Sequence, residues 1–435
     1  MTAQPMTRLL QRVVDLENDE TAAVVTAFLL FFCVLGGYFA VRPVRETVGT
    51  ILGDERTANL FGVTWIASIA IVPLYGALCA RFRRSTFLPW IYGFIAASLA
   101  VCGLAFRASE SNIVIGQFFF VFISVINLFV VSVFWSFLLE LFNPGQTKRL
   151  FGMIAAGGTA GALTGPFITS LVATRIGNSG VLFLGASLFI MAIVCQLVLL
   201  RFGAQRNWMS DETVPMSRPI GGNPFAGFTI VLRSPYLLGI ASFVVLLASV
   251  NTFLYFAQLR TVSATFTDTA QRTVVFSRLD FIVQSLTIVL QLLFTGRLAS
   301  RFGVGALLTL VPLAMVMGFI GLAMTGTFAV LAVVMVTRRV GEYAFVRPGR
   351  EMLFSRVDTE TKYKAKNLID VPVYRGGDAI GGQLDKALNA SGLAASGVAL
   401  IGAVVALGWA INGFLLGRTQ REPRDTPAEQ VLAHR

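Results

Sequence analysis

From residue 22 to residue 417 the chain is a succession of apolar runs, most about 18 residues or longer, and nothing else in it constrains the fold as strongly. At about 1.5 Å per helical residue, a run of that length crosses the hydrocarbon core of a bilayer. Backbone N–H and C=O groups find no water there, so a spanning segment must close its hydrogen bonds as a helix or in a closed barrel. Apolarity here is continuous rather than alternating, which selects helices. Only 13% of the residues are charged, against about 25% in a soluble domain, and mean hydropathy is +0.73.

Twelve spans are expected, at about 22–42, 58–80, 86–106, 112–142, 151–173, 180–201, 235–258, 272–296, 303–324, 326–355, 364–388 and 392–417. The predicted fold class is thus an all-α polytopic membrane protein with twelve transmembrane helices in two six-helix bundles. Residues 1–21 form a polar N-terminal segment that lacks the pattern of a removable signal, and the first span serves as the insertion signal. The bundles are 22–201 and 235–417, joined by a connector at 202–234 and followed by a tail at 418–435. Within the connector, Asn223 to Phe228 is expected to form a short interfacial helix. Lys and Arg gather in the segments that face the cytoplasm if both termini lie inside, which orients the chain. The net charge of +12 is then a membrane-topology signal, and nucleic acid binding is not needed to explain it.

Internal repetition supports two equivalent halves. Gly76-Ala-Leu-Cys-Ala-Arg81-Phe82 after span two matches Gly296-Arg-Leu-Ala-Ser-Arg301-Phe302 after span eight. Tyr38-Phe39-Ala40 matches Tyr255-Phe256-Ala257, and Glu140-Leu-Phe142 has a counterpart in Glu351-Met-Leu-Phe354. Parallel repeats of this kind belong to major-facilitator transporters, whose substrates bind near the midplane between the halves. The repeated G-x-L-x-x-R-F resembles that superfamily's cytoplasmic signature without its aspartate: Ala80, Ser300 or their neighbours stand there. Gly76, Arg81, Gly296 and Arg301 are gating or packing candidates on this basis. The spacing of Gly157, Gly161 and Gly165, and of Gly377 and Gly381, predicts close helix contact.

Charges inside spans are costly and mark cavities or partners. Arg42, Arg45 and Glu46 close span one, where Pro43 bends or ends the helix; the arginines either snorkel to headgroups or face a central cavity. Span ten carries Arg338, Arg339, Glu342, Tyr343, Arg347, Arg350 and Glu351, with Arg338–Glu342 and Arg347–Glu351 placed to pair at i,i+4. The arginine excess suits a phosphate or carboxylate anion, since the guanidinium fork binds either bidentately. Span eleven adds Asp370, Tyr374, Arg375 and Asp378, preceded by Lys362, Lys364 and Lys366, which read as topology signals. Span eight holds Arg278, Asp280 and Gln284.

Arg42, Arg45, Arg338, Arg339, Arg347, Arg350 and Arg375 are therefore the candidate anion-binding residues. Glu46, Glu342, Glu351, Asp370, Asp378 and Asp280 are the candidates for charge balance or coupling. The aromatic stretches Phe118 to Phe122 and Phe134–Trp135 read as packing or lipid-facing, with Trp135 able to stack on a base only if it faces the cavity. Cys33, Cys79, Cys102 and Cys195 lie singly in apolar runs, and the one histidine is His434, so a disulfide, metal site or histidine chemistry is not expected. No cofactor motif is present, and no nucleophile–base set, so an enzyme is not expected either.

Four segments carry a family resemblance: FFCVLGGYFAVRPVRETVG, FWSFLLELFNPGQTKRLFGMIAAGGTAGALTGP, LRSPYLLGI with its NTFLYF, and RPGREMLFSRVDTETKYKAKNLIDVPVYRGGDA. Over about residues 22 to 417 the chain resembles the ATP:ADP antiporter family of nucleotide transporters, in its shorter branch from free-living bacteria. The resemblance implies a major-facilitator fold and nucleotide exchange across the bacterial inner membrane. The leading expectation is an alternating-access carrier of an anionic small molecule, working as a monomer in the lipid bilayer. The alternative is a proton-coupled permease for another anionic or zwitterionic metabolite, such as a peptide-like compound or siderophore, with Asp378 carrying the proton. A membrane-embedded enzyme or receptor is the third reading.

Overall fold

A computed structural model of the protein describes residues 20–81, 84–205, 226–357 and 365–421. Among the described residues there is no strand. Helices α1 to α4 are Thr21–Leu52, Asp54–Arg81, Arg84–Ala108 and Ile113–Leu141. The run Pro144–Gln205 breaks at Gly177 (φ 68°, ψ 175°) into α5 (144–176) and α6 (178–205). Such a backbone conformation is open to glycine and strained for any residue with a Cβ. Helix α7, Ala226–Arg233, is short: Val231 is buried while Phe228 and Leu232 are exposed. It falls in the connector where an interfacial helix is expected, but reaches further toward span seven; residues 223–225 lie outside the described residues.

The second half repeats the plan with more irregularity. Helix α8 is Pro235–Thr265 and α9 is Thr269–Leu290. Helix α9 continues through a π-turn at Gln291–Thr295 as far as Gly303 (φ 76°, ψ 178°), after which α10 occupies 304–325. Helix α11 is Phe328–Gly341, a π-turn at Glu342–Val346, and Arg347–Leu353. Helix α12 enters at residue 365, has a π-turn at Ile369–Val373 and runs on through Tyr374–Ala390; α13 is Ala395–Arg421. Seven stretches are long and apolar enough to cross a membrane, and two of them, Arg149–Phe202 and Thr269–Thr325, each contain two limbs. Helices α11 and α12, which carry the charged clusters, are not among those stretches.

Helix α1 does not stop at Pro43. It runs on to Leu52 because the residues beyond the proline, Val44, Thr47, Val48 and Leu52, are buried on its packed face. Proline's missing N–H costs one hydrogen bond, whereas ending the helix in an apolar setting would expose several backbone groups.

The chain forms two compact units: residues 1–221 with 256–285, and residues 222–255 with 286–435. The C-terminal part of α8 and the first limb of α9 thus pack with the first-half helices. Each unit contains the same glycine-mediated contact. A Cβ on Gly165 of α5 would stand 2.6 Å from the Gly36 carbonyl oxygen of α1, and Gly157 and Gly161 abut the Phe28 and Phe32 carbonyls. In the second unit a Cβ on Gly377 of α12 would stand 2.8 Å from the Ala248 methyl of α8, and one on Gly381 would crowd Thr252. Small residues are needed where two backbones approach this closely.

Candidate functional site

Two charged networks lie within the helices, one in each unit. In the first unit, Arg42 and Arg45 of α1 point inward rather than toward headgroups. The Arg45 Nη2 to Glu46 Oε1 distance is 2.7 Å, and Arg45 Nη1 donates to Ser124 Oγ of α4 at 3.0 Å. The guanidinium also lies over the Phe120 ring, 5.1 Å from its centroid. Arg42 approaches Glu46 at 3.9 Å and Asp280 of α9 at 3.6 Å. Glu46 and Asp280 are buried, at 8% and 3% exposure. Two guanidinium groups thus meet two carboxylates, and the network is neutral. Removing one member of such a set strands a buried charge. Arg278, near Asp280 in sequence, is exposed.

The same unit contains a polar clamp that spacing alone does not reveal. Thr273 of α9 donates to Asn178 Oδ1 at 2.6 Å and meets the Thr47 hydroxyl of α1 at 2.6 Å. Glu110, in the α3–α4 turn, accepts from Thr269 at 2.6 Å and from Asn178 Nδ2 at 3.4 Å. Arg260 of α8 pairs with Asp54 of α2 at 2.8 Å, and Arg272 donates to Thr50 at 2.9 Å. One end of α8 and α9 is fastened in this way to the turns of the first-half helices. Its Thr and Asn members carry no periodic or charge signal, and its charged members, Asp54, Glu110, Arg260 and Arg272, have partners far away in sequence, so no local pattern announces the clamp.

In the second unit the charges sit on α11 and α12. Arg338 and Glu342 pair at 2.8 Å, as their spacing predicts, and Arg339 is buried beside them. Arg350 reaches Asp370 at 2.9 Å, joining α11 to α12. Arg375 lies 3.5 Å from Asp378, whose other carboxylate oxygen accepts from Thr252 of α8 at 3.3 Å. The expected Arg347–Glu351 pair does not form. Helical side chains lean toward the N-terminus, so Arg347 lies back over the Tyr343 ring, 5.0 Å from its centroid. Glu351 is exposed and takes Lys366 at 2.6 Å instead. Lys366, expected as a topology signal, is an ion-pair partner; Lys362 and Lys364 lie outside the described residues.

Arg338, Arg350 and Arg375 each pair with one of Glu342, Asp370 and Asp378, and Arg347 is exposed with an aromatic ring as its neighbour. Arg347 could take a carboxylate or phosphate without first giving up an acid.

Other candidates separate clearly. A Cβ on Gly296 would meet open space, so packing does not explain that glycine. Arg301 is exposed over its own neighbour Phe302. Gly76 and Arg81 belong to α2, but their side-chain surroundings are outside the described residues. Trp135 packs against Phe31, Phe134 and Phe151, which makes it part of an aromatic core rather than a base-stacking platform.

A helical chain with many apolar spans and no strand among its described residues defines the class: a polytopic all-α membrane protein. The sequence model of the Major Facilitator Superfamily matches residues 25–349. The chain belongs to that superfamily.

Among curated proteins it is similar to ADP,ATP carrier protein 1 of Chlamydia muridarum (strain MoPn / Nigg), at 22% identity over 88% of this chain and 85% of the carrier. The protein of the same name from Chlamydia trachomatis serovar D matches at the same identity and coverage. Among solved structures, the nucleoside transporter NupG superposes with a TM-score of 0.65 at 16% identity, covering 92% of this chain and 99% of NupG. A bacterial homologue of the iron transporter ferroportin, in its inward-facing state, gives 0.63 at 15% identity, covering 89% and 98%.

Proposed function

We propose that the protein carries a phosphorylated anion, of nucleotide type, across the bacterial inner membrane by alternating access and exchange. The observation that carries this reading is the arginine excess on α11 and α12, with Arg347 exposed over Tyr343. An arginine cluster with fewer acids than cations suits a polyanion, and bidentate forks favour phosphate oxygens. The 22% likeness to the Chlamydia carriers, named for ADP and ATP, supports a nucleotide over other polyanions.

In this reading Arg338, Arg339, Arg347, Arg350 and Arg375 surround the anion. Glu342, Asp370 and Asp378 limit the positive charge and exchange partners as the carrier moves. Arg42 and Arg45, neutralised by Glu46 and Asp280, join α1 to α9 within the first unit. The six-helix halves 22–201 and 235–417 are the moving bodies. Both termini face the cytoplasm, the working form is a monomer, and Arg81 and Arg301 mark the cytoplasmic loops.

Exchange follows from charge: an empty arginine site is costly to carry through the membrane, so the return step needs a second anion. Proteoliposomes loaded with ADP should take up labelled ATP, while empty vesicles should take up little. Uptake into empty vesicles driven by an inward proton gradient, with no stimulation by internal ADP, would contradict exchange. It would favour the permease alternative with Asp378 as proton carrier.

A further inference from the structure

Two of the π-turns, at Gln291–Thr295 on α9 and Glu342–Val346 on α11, lie against each other. The first supplies what the second lacks. A π-turn inserts one residue into a helix and disturbs the i→i−4 ladder, and Pro348 has no N–H to offer the Tyr343 or Ala344 carbonyl, so both need a donor from elsewhere. Gln291 Nε2 donates to the Tyr343 carbonyl at 3.0 Å. The Thr295 hydroxyl stands 2.8 Å from the Ala344 carbonyl and 3.2 Å from its own Leu290 carbonyl. Two side chains of the α9 π-turn therefore serve two carbonyls of the α11 π-turn.

The inserted residue decides where the arginines point. On an unbroken α-helix at about 100° per residue, Arg338 and Arg347 would face opposite sides, about 180° apart. One extra residue reduces that separation to about 80°. The same shift brings Glu342 and Arg350 from about 80° apart to within about 20°. Tyr343, inside the turn, is also the ring over which Arg347 lies.

We infer that Gln291 and Thr295 are positioning residues that hold the α11 π-turn in place and thereby aim Arg347 and Arg350 at the anion. The part concerning the anion rests on the function proposed above. The part concerning geometry does not. If the two donors are removed, the Tyr343 and Ala344 carbonyls lose their partners and the α11 turn relaxes, turning Arg347 away.

A substrate-free accessibility measurement tests the geometry directly. In a full-length chain with Cys33, Cys79, Cys102 and Cys195 replaced by alanine, Arg347→Cys serves as reporter for a water-soluble methanethiosulfonate. Thr295→Val keeps the shape and removes the donor; Thr295→Ser keeps the donor. The labelling rate should fall by at most about five- to tenfold with Thr295→Val or Gln291→Leu, the ceiling set by the equilibrium worth of one hydrogen bond, and further with both. Thr295→Ser should label like the parent.

Unchanged labelling in the double variant, in protein that still elutes as a single folded species, would overturn the inference. In the chain with its native Arg347, Thr295→Val should also raise KM for ADP exchange about five- to tenfold, with Thr295→Ser restoring it. Altered labelling in a protein whose parent shows no ADP-dependent thermal shift would support the positioning role and remove the nucleotide from the account.

Discussion

The two charged networks use the same residue types for different ends. In the first unit, Arg42 and Arg45 meet Glu46 and Asp280, and every charge is balanced within a buried cluster that joins α1 to α9. In the second, Arg338, Arg350 and Arg375 each meet an acid, and a further arginine, Arg347, is exposed over an aromatic ring with no carboxylate in ion-pair reach among the described residues. A balanced buried network contributes to which helices pack together, because any single loss leaves an uncompensated charge. An unbalanced one is costly until something anionic arrives, which is the property a binding site needs. Residue type alone does not separate the roles; the local ratio of acids to cations does.

Substitutions should break the two networks in different ways. The largest effect is expected from charge reversal at Arg347 or Arg350: ADP affinity, read by thermal shift, should fall roughly 30-fold or more, as for loss of a close charge pair. Next is Arg42→Met, which takes a cationic partner from buried Asp280 and should cost about 3–5 kcal/mol of stability, measured by thermal unfolding. The double variant Arg42→Met/Asp280→Leu should recover most of that loss, because an apolar pair of similar volume replaces the ions. Gly165→Ala drives a methyl into the Gly36 carbonyl and should cost about 1–3 kcal/mol with ADP affinity unchanged. The smallest effect is expected from Trp135→Phe, below about 1.5 kcal/mol and without consequence for ADP, since the ring belongs to the aromatic core.

Much of the fold is legible in the sequence because bilayer crossing leaves few options. Apolar runs mark the helices, and the glycine spacings of α5 and α12 announce the contacts they make with α1 and α8. The charged residues on α11 are equally visible, and the Arg338–Glu342 pair follows from helical spacing. Spacing failed where the helix stopped being regular or where tertiary contacts outranked local ones. Pro43 does not end α1, because burial on both sides of it favours continuing the helix. The π-turn at Glu342–Val346 has no sequence signature of its own, so the directions of Arg347 and Arg350 cannot be read from an ideal wheel. Lys366 pairs with Glu351 because α12 returns beside α11, a contact no local pattern contains. The clamp around Asn178 and Thr273 is hidden for a related reason: uncharged hydrogen-bonding residues far apart in sequence carry no periodicity.

The contrast between the networks is tested most directly by ADP-dependent thermal shift on three proteins measured side by side. ADP should raise the Tm of the wild type and of Arg42→Met/Asp280→Leu, and leave Arg347→Glu unmoved. A shift that survives in Arg347→Glu and vanishes in Arg42→Met/Asp280→Leu would place the anion in the first unit and contradict the account.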